Sequence, residues 1–306
     1  MTAPAEQSSD DVHVPIDGMR GLLFELLKRK SLFEFDAEVV IARMLEADLI
    51  GQREHGCRCI LTFLDRMDQG EIDPRARVLT ETETSAMAVL DGSSAMGHVA
   101  ATQGMQLAIK KAGEVGTGTV VIHHSHHFGS AALYARMAAM SGCIGLCTSN
   151  IGPATMGRNS EDRPVFARHQ FAYAVPMEEE PLLFELNNDD SSLPGSLIPS
   201  ILAGLLSGGR LPIAKPETAV TNGEHFLMAI DVGTFTDPSR FGKKLVDGLT
   251  KIGGSNGLAS PSGLPLFQLL AASDAEILLS SEDATAIATK AASLKISVPW
   301  SSAADN

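Results

Sequence analysis

Four of the chain's nine histidines fall between positions 123 and 127, within the run Ile122-His123-His124-Ser125-His126-His127-Phe128-Gly129. Imidazole is the side chain whose ordinary titration lies nearest neutrality, so this concentration points to proton chemistry. On a regular extended backbone, side chains alternate between faces. His123, Ser125 and His127 then share one side and His124 and His126 the other, so at most one set lines a given pocket. For any single histidine here, the competing reading is a polar strand end whose imidazoles bond backbone carbonyls.

The elements that must position these groups are legible on either side. Thr119 to Ile122 is β-branched and apolar, and Ser130 to Met140 is rich in alanine, leucine and methionine, so the histidines mark a strand-to-helix turn. Upstream, Met19 to Leu27 and Ala37 to Ile50 carry helical apolar spacing, the second with Asp36 placed to cap it. Cys57 to Met67 reads as a third helix, and Arg77 to Leu90 as strands broken near Glu81 to Thr84. A helix over His98 to Ala112, the strand Thr119 to His123, the helix from Gly129 and the strand Cys143 to Ser149 follow, including a β-α-β unit. Strands are expected at Phe171 to Val175, Leu182 to Leu186 and His225 to Val232. Helices are expected at Leu197 to Leu206, Ser239 to Ile252 and Asp283 to Leu294.

Composition narrows the class. With 306 residues, 44% apolar and 20% charged, the chain can bury a substantial core as one large or two intertwined domains. Lysine and arginine total 24 against 37 acids, and the net charge of −13 opposes attraction to nucleic acid or anionic lipid. No stretch reaches the roughly 18 apolar residues of a membrane span. Residues 1–15 read as a flexible, polar leader without an apolar targeting core, so no nucleic acid, no membrane and a cytoplasmic location are expected. The four cysteines, Cys57, Cys59, Cys143 and Cys147, are too few for a disulfide scaffold and are expected reduced. His55, Cys57 and Cys59 lack familiar zinc spacings, and Cys57 points away from the other two on a helix, so no metal site is expected.

Taken in order, several segments resemble the malate/L-lactate dehydrogenase type 2 family, whose fold is unrelated to Rossmann lactate dehydrogenases. They are Glu46-Ala47-Asp48-Leu49-Ile50-Gly51 leading to His55-Gly56, Asp91-Gly92 followed by Gly97, and Ser125-His126-His127-Phe128-Gly129 before the helix carrying Tyr134. Downstream come Ile144-Gly145-Leu146 with Asn150, Ala203-Gly204-Leu205-Leu206-Ser207-Gly208, and Gly223-Glu224-His225-Phe226-Leu227-Met228-Ala229-Ile230-Asp231. The resemblance implies an α/β fold with an α+β mixed sheet and an N-terminal helical region. It also implies NAD or NADP as cofactor, hydride exchange at C2 of a 2-hydroxy, 2-oxo or 2-imino acid, and a homodimer. The implied acid/base histidine matches His127, because hydride transfer leaves or requires a proton on the substrate heteroatom. A second family histidine near the substrate matches His55, and Gly56 after it reads as structural. The domains expected are 16–75, helical and part of the substrate and dimer domain; 76–192, the central cofactor-side domain; and 193–306, returning to the first domain.

The departures from the family pattern are concentrated at ligand contacts. The family's serine before His55 is Glu54, and its carboxylate-binding arginine is Cys59. Arg58 is adjacent but about 100° out of phase on a helix. Arg58, His124 and His169 are the candidate substrate contacts. The family run that holds the dinucleotide corresponds to Glu185-Leu186-Asn187-Asn188-Asp189, where a carboxylate near a pyrophosphate is repulsive. Asn150, Glu185, Asn187 and Asn188 are the candidate cofactor contacts. A family segment after Asp190 is missing, truncating the cofactor side, and Pro199 enters the following helix and removes a donor. No other nucleotide fingerprint compensates. Two main functions therefore stand: an NAD(P)-dependent oxidoreductase with altered contacts, or a cofactor-free acid/base enzyme such as an isomerase, lyase or cyclase. A non-catalytic binding subunit is the third.

Overall fold

The computed structural model describes residues 11–150, 156–158, 164–166, 170–178, 180–187, 197–208, 223–252, 266–272 and 274–300. The chain forms two compact units, one from residues 1–75 with 259–306 and one from residues 76–258.

In the first unit, β1 (Val12–Pro15) precedes α1 (Ile16–Arg29), α2 (Glu34–Leu49) and α3 (Ile60–Asp68). The apolar spacing in α1 buries Met19, Leu22, Leu23, Leu26 and Leu27 on one stripe, and α2 buries Val40, Ile41, Met44 and Leu45 in the same way. The expected cap at Asp36 is not made. The helix starts at Glu34 behind Phe33, and Asp36 lies inside its first turn. Val12–Pro15 is not a loose leader either, because it pairs antiparallel with a strand far along the chain, Glu276–Leu279. A helix at Ser281–Ser293 follows that strand, capped where the Ser280 hydroxyl accepts the Asp283 N–H.

The second unit is built on a seven-stranded mixed sheet. Its strands are β2 (Leu79–Glu83), β3 (Met87–Asp91), β4 (Thr117–Ser125), β5 (Cys143–Asn150), β8 (Gln170–Val175), β9 (Leu182–Asn187) and β10 (Gly223–Asp231), with a separate ribbon of β6 (Met156–Arg158) and β7 (Pro164–Phe166). Their order is β2-β3-β4-β10-β5-β8-β9. β3 runs parallel to β4, whereas β10 is antiparallel to both β4 and β5 and separates them. The segment Gly223–Asp231, expected in the C-terminal region, is thus hydrogen-bonded on both edges inside this unit, and the chain returns to the first unit at 259.

Alternation along the central strands sorts the core into two layers. Val120, Ile122 and Leu227 face α4 (Gly97–Val115) and α5 (Ala131–Met140), whose alanines allow close approach, while Val121 and Phe226 face Ala203. Ala203 lies in a π-helical turn, Ser200–Leu205, which follows Pro199 where a regular α-helix was expected. The topology brings the carboxyl ends of β3, β4 and β5 to the same end of the sheet as the start of β10. In open α/β sheets the carboxyl ends of parallel strands are where ligands collect. No helix among the described residues is long and apolar enough to cross a membrane.

Candidate active site

At the end of β4 the expected alternation fails. Gly223 pairs with Ser125 and His225 with Ile122, so His123 and His124 together oppose the single residue Glu224. His124 takes φ of 50°, in the left-handed region. A bulge of this kind re-aims the side chains that follow it. His126 is consequently buried and His124 exposed, although both were expected on one face, and His127 is half-buried beyond them.

His127 is held by its surroundings. Gly97, at the start of α4, lies so near that a Cβ there would meet the His126 carbonyl oxygen at 2.1 Å and that of His127 at 2.5 Å. Only glycine lets the helix approach this backbone. The Gly129 N–H donates to His127 Nδ1 at 3.1 Å, which places the proton of the neutral ring on Nε2. The next residue, Phe128, is fully buried and stacked between Tyr134 at 4.9 Å and His225 at 4.5 Å. The Tyr134 hydroxyl donates to the Phe128 carbonyl. The first helical N–H of α5, from Ala131, is taken by the Gln170 side chain at 2.7 Å, tying the turn to β8. On either side of the turn, the hydroxyls of Ser125 and Ser130 are buried and have no hydrogen-bond partner among the described residues. Such groups are costly unless something polar reaches them.

Sequence reading assigned no role to Glu224 and His225, yet both are buried at this strand end. Asn150 Nδ2 donates to Glu224 Oε2, and Asn150 and Glu224 are register partners across β5 and β10. The signal was available: two polar residues open a strand that is otherwise apolar to Ile230.

The first unit holds a separate set of titratable groups. His55 lies in a short 3-10 turn (Arg53–His55) and a second turn spans Cys57–Cys59. Gly56 between them is required by packing, since a Cβ there would sit 1.9 Å from Asp48 Oδ1. The Cys57 N–H donates to Asp48 Oδ2 at 2.8 Å. Burial lifts the Asp48 carboxyl from 3.8 to about 6 in spite of the Cys57 hydrogen bonds and the charges of Arg53 and Arg58. Burial also lowers the His55 imidazole, with Glu54 opposing, and raises the Cys57 thiol well above its ordinary value. Cys59 donates to the Glu54 carbonyl at 2.9 Å, and burial pushes its thiol up to about 11. Arg58 is half-exposed and 3.8 Å from Asp283. Asp48 went unremarked as a titratable group in the sequence.

Of the candidate cofactor contacts, Asn150 and Glu185 are described with their side chains. The Asn150 amide is fully buried and engaged with Glu224. Glu185 is close enough to the buried Cys147 for its charge to help raise that thiol, which places its field on the sheet interior. Asn187 is described as strand backbone only, and Asn188, like the substrate candidate His169, lies outside the described residues. His124 and His127 are brought to one turn, with Asn150 across β10; His55 and Arg58 belong to the other unit.

Comparison with known proteins agrees with this architecture. The family model described as malate/L-lactate dehydrogenase matches residues 14–186. A malate dehydrogenase of Pyrococcus abyssi is 26% identical over 297 aligned positions, covering 79% of this chain and 82% of that protein. An L-sulfolactate dehydrogenase of Methanothermobacter thermautotrophicus is likewise 26% identical, covering 79% and 86%. A malate dehydrogenase of Pyrococcus horikoshii is 30% identical over a match that takes in 57% of this chain and spans about half of the relative, 48% of its length. The solved structure of malate dehydrogenase from P. horikoshii superposes with a TM-score of 0.80 at 22% identity, covering 95% of this chain and 98% of that one. Malate dehydrogenase from Entamoeba histolytica gives 0.81 at 22% identity, covering 95% and 100%. These superpositions establish the same non-Rossmann α/β fold, and with the matched family model they show that the chain belongs to the malate/L-lactate dehydrogenase family of oxidoreductases.

Proposed function

We propose that the protein interconverts a 2-hydroxy acid and its 2-oxo, or 2-imino, counterpart, with His127 as the group that handles the substrate proton. The observation that carries this reading is the His127 ring itself, half-buried at the carboxyl end of β4 and held through Nδ1 by Gly129. The neutral ring offers Nε2–H as a donor, suited to polarise a C2 carbonyl oxygen as negative charge develops there. A doubly protonated ring would place Nδ1–H against the Gly129 N–H, so full proton transfer is coupled to release of that contact. The buried hydroxyls of Ser125 and Ser130 flank the same turn and are available to a polar ligand. The names of the relatives, malate, sulfolactate and hydroxycarboxylate dehydrogenases, support a hydroxy-acid substrate and a nicotinamide coenzyme as hydride carrier. No described residue is assigned to that coenzyme; the chain's own groups account for the proton half of the reaction. His55 and Arg58 are proposed to assist at the substrate. Like the homodimeric state, their role rests on the family resemblance.

A second reading, a cofactor-free acid/base enzyme, is favoured by one observation: Asn150 spends its amide on Glu224. One experiment separates the two. Turnover of a panel of 2-hydroxy and 2-oxo acids is followed with NAD(P)H, alongside the thermal midpoint with each dinucleotide. Turnover, with a midpoint that rises with dinucleotide concentration as RT ln(1 + [L]/Kd) requires, supports the oxidoreductase. No turnover and no shift by either dinucleotide at millimolar concentration transfers the assignment to the cofactor-free enzyme.

A further inference from the structure

The same end of the sheet carries a cluster that this proton chemistry does not use. The geometry points to a site for one divalent transition-metal ion of the zinc class, with Asp91, His123 and His124 as ligands and Glu81 orienting His123. Among the described residues these three are the group of histidine, cysteine or acidic side chains whose ligand atoms all lie close together, within 4.8 Å of one another. His124 Nδ1 is 3.3 Å from Asp91 Oδ1. Metal–ligand bonds of about 2.0–2.1 Å in a tetrahedron put neighbouring ligand atoms about 3.3 Å apart. That pair is already at the working distance, and the His124 ring is exposed.

The backbone brings the ligands together in a way a regular sheet cannot. Consecutive strand residues point to opposite faces, but the bulge at His123–His124 sets the two rings edge-on with centroids 4.4 Å apart. Asp91 is the register partner of His123 on β3. Its Oδ1 accepts the Ser93 N–H at 2.7 Å, while the Gly92 and Ser94 N–H groups take the carbonyls of His123 and His124. Ser93, Ser94 and His124 all adopt left-handed φ, of 49°, 64° and 50°, although none is glycine. Strain of this kind persists only where the surroundings impose it.

Glu81 lies at a second irregularity, where the register between β2 and β3 shifts across Thr80 and Thr82. Its Oε2 is 2.9 Å from His123 Nε2. This leaves Nδ1 of His123 for the ion and forms the carboxylate–histidine–metal relay that fixes a ligand's tautomer. Two imidazoles with one carboxylate select zinc, nickel, copper or cobalt over magnesium and calcium, which prefer all-oxygen shells. With neutral rings, the two carboxylates supply the charge that a dication needs.

The test is zinc titration of the full, tag-free chain in competition with a chromophoric chelator, with circular dichroism confirming that each variant is folded. One equivalent is expected to bind, and excess magnesium should not displace it. Asp91→Asn and His124→Asn should each weaken binding by at least about 100-fold, asparagine being tolerated at the left-handed position. Glu81→Gln should weaken it about 10-fold to 100-fold, and His127→Ala should leave it unchanged. Absence of zinc uptake by the wild-type chain would overturn the site, and so would uptake that Asp91→Asn and His124→Asn leave intact. Either result would reduce these contacts to ordinary His–carboxylate pairs.

Discussion

Replacing Asp48 by asparagine should make the protein more stable, and increasingly so as pH rises. The carboxyl of Asp48 is closed in by Gly56 and Cys57, and burial holds it at about 6 in the folded chain against 3.8 when unperturbed. For an acid whose folded value is raised, the unfolded chain releases its proton first. Stability is therefore fully present below about 3.8, is lost as pH climbs toward about 6, and levels off above that. A shift of about two units at 1.36 kcal/mol each caps the loss at about 3 kcal/mol. Asparagine resembles the protonated acid, keeps an oxygen to accept the Cys57 N–H and cannot ionise. The half-buried His55, whose imidazole is lowered by desolvation, pulls the other way, costing stability as pH falls below its ordinary 6.5. The assay is urea unfolding followed by the chain's single tryptophan, Trp300, which lies in the same unit as Asp48. The gain in the variant should grow between about pH 4 and about pH 6 and then flatten. A pH-independent difference, or a variant less stable than wild type at pH 8, would refute the reasoning.

Gly97→Ala should cost about 1–3 kcal/mol in urea unfolding and depress turnover, because the new Cβ meets the backbone oxygens of His126 and His127 and neither can yield alone. Gly56→Ala should destabilise the first unit by a similar amount, with Trp300 fluorescence as the readout, since its Cβ would overlap the Asp48 carboxylate. Native Cys57, Cys59 and Cys147 should resist alkylation near neutral pH, the first and last because burial keeps their thiols protonated and Cys59 because its thiol sits at about 11. Intact-mass measurement showing their fast modification in the folded chain would contradict the burial described.

Local periodicity carried most of the second unit. The strand expected at Thr119–His123 is found over Thr117–Ser125 and that at Cys143–Ser149 over Cys143–Asn150, because apolar runs bounded by glycine or polar residues report directly on burial. What stayed hidden depends on partners distant in sequence. Val12–Pro15 becomes a strand only because Glu276–Leu279 lies beside it, and nothing within the first fifteen residues says so. β10 separates β4 from β5, which a local β-α-β reading cannot reveal. The bulge at His124 defeats the two-residue period just where the histidines cluster, so the alternation expected from sequence misassigned which of their rings share a face. The Asn150–Glu224 contact likewise needed the register of two strands more than seventy residues apart.

The central claim is that His127 handles the substrate proton, and kinetics of His127→Ala test it most directly. Once a hydroxy- or oxo-acid substrate is in hand, wild type and variant are compared for kcat and KM, with matched circular dichroism and thermal midpoints. The account predicts a fall in kcat of about 10²-fold or more with the fold retained. A folded His127→Ala protein that turns over at a rate comparable to wild type would contradict it.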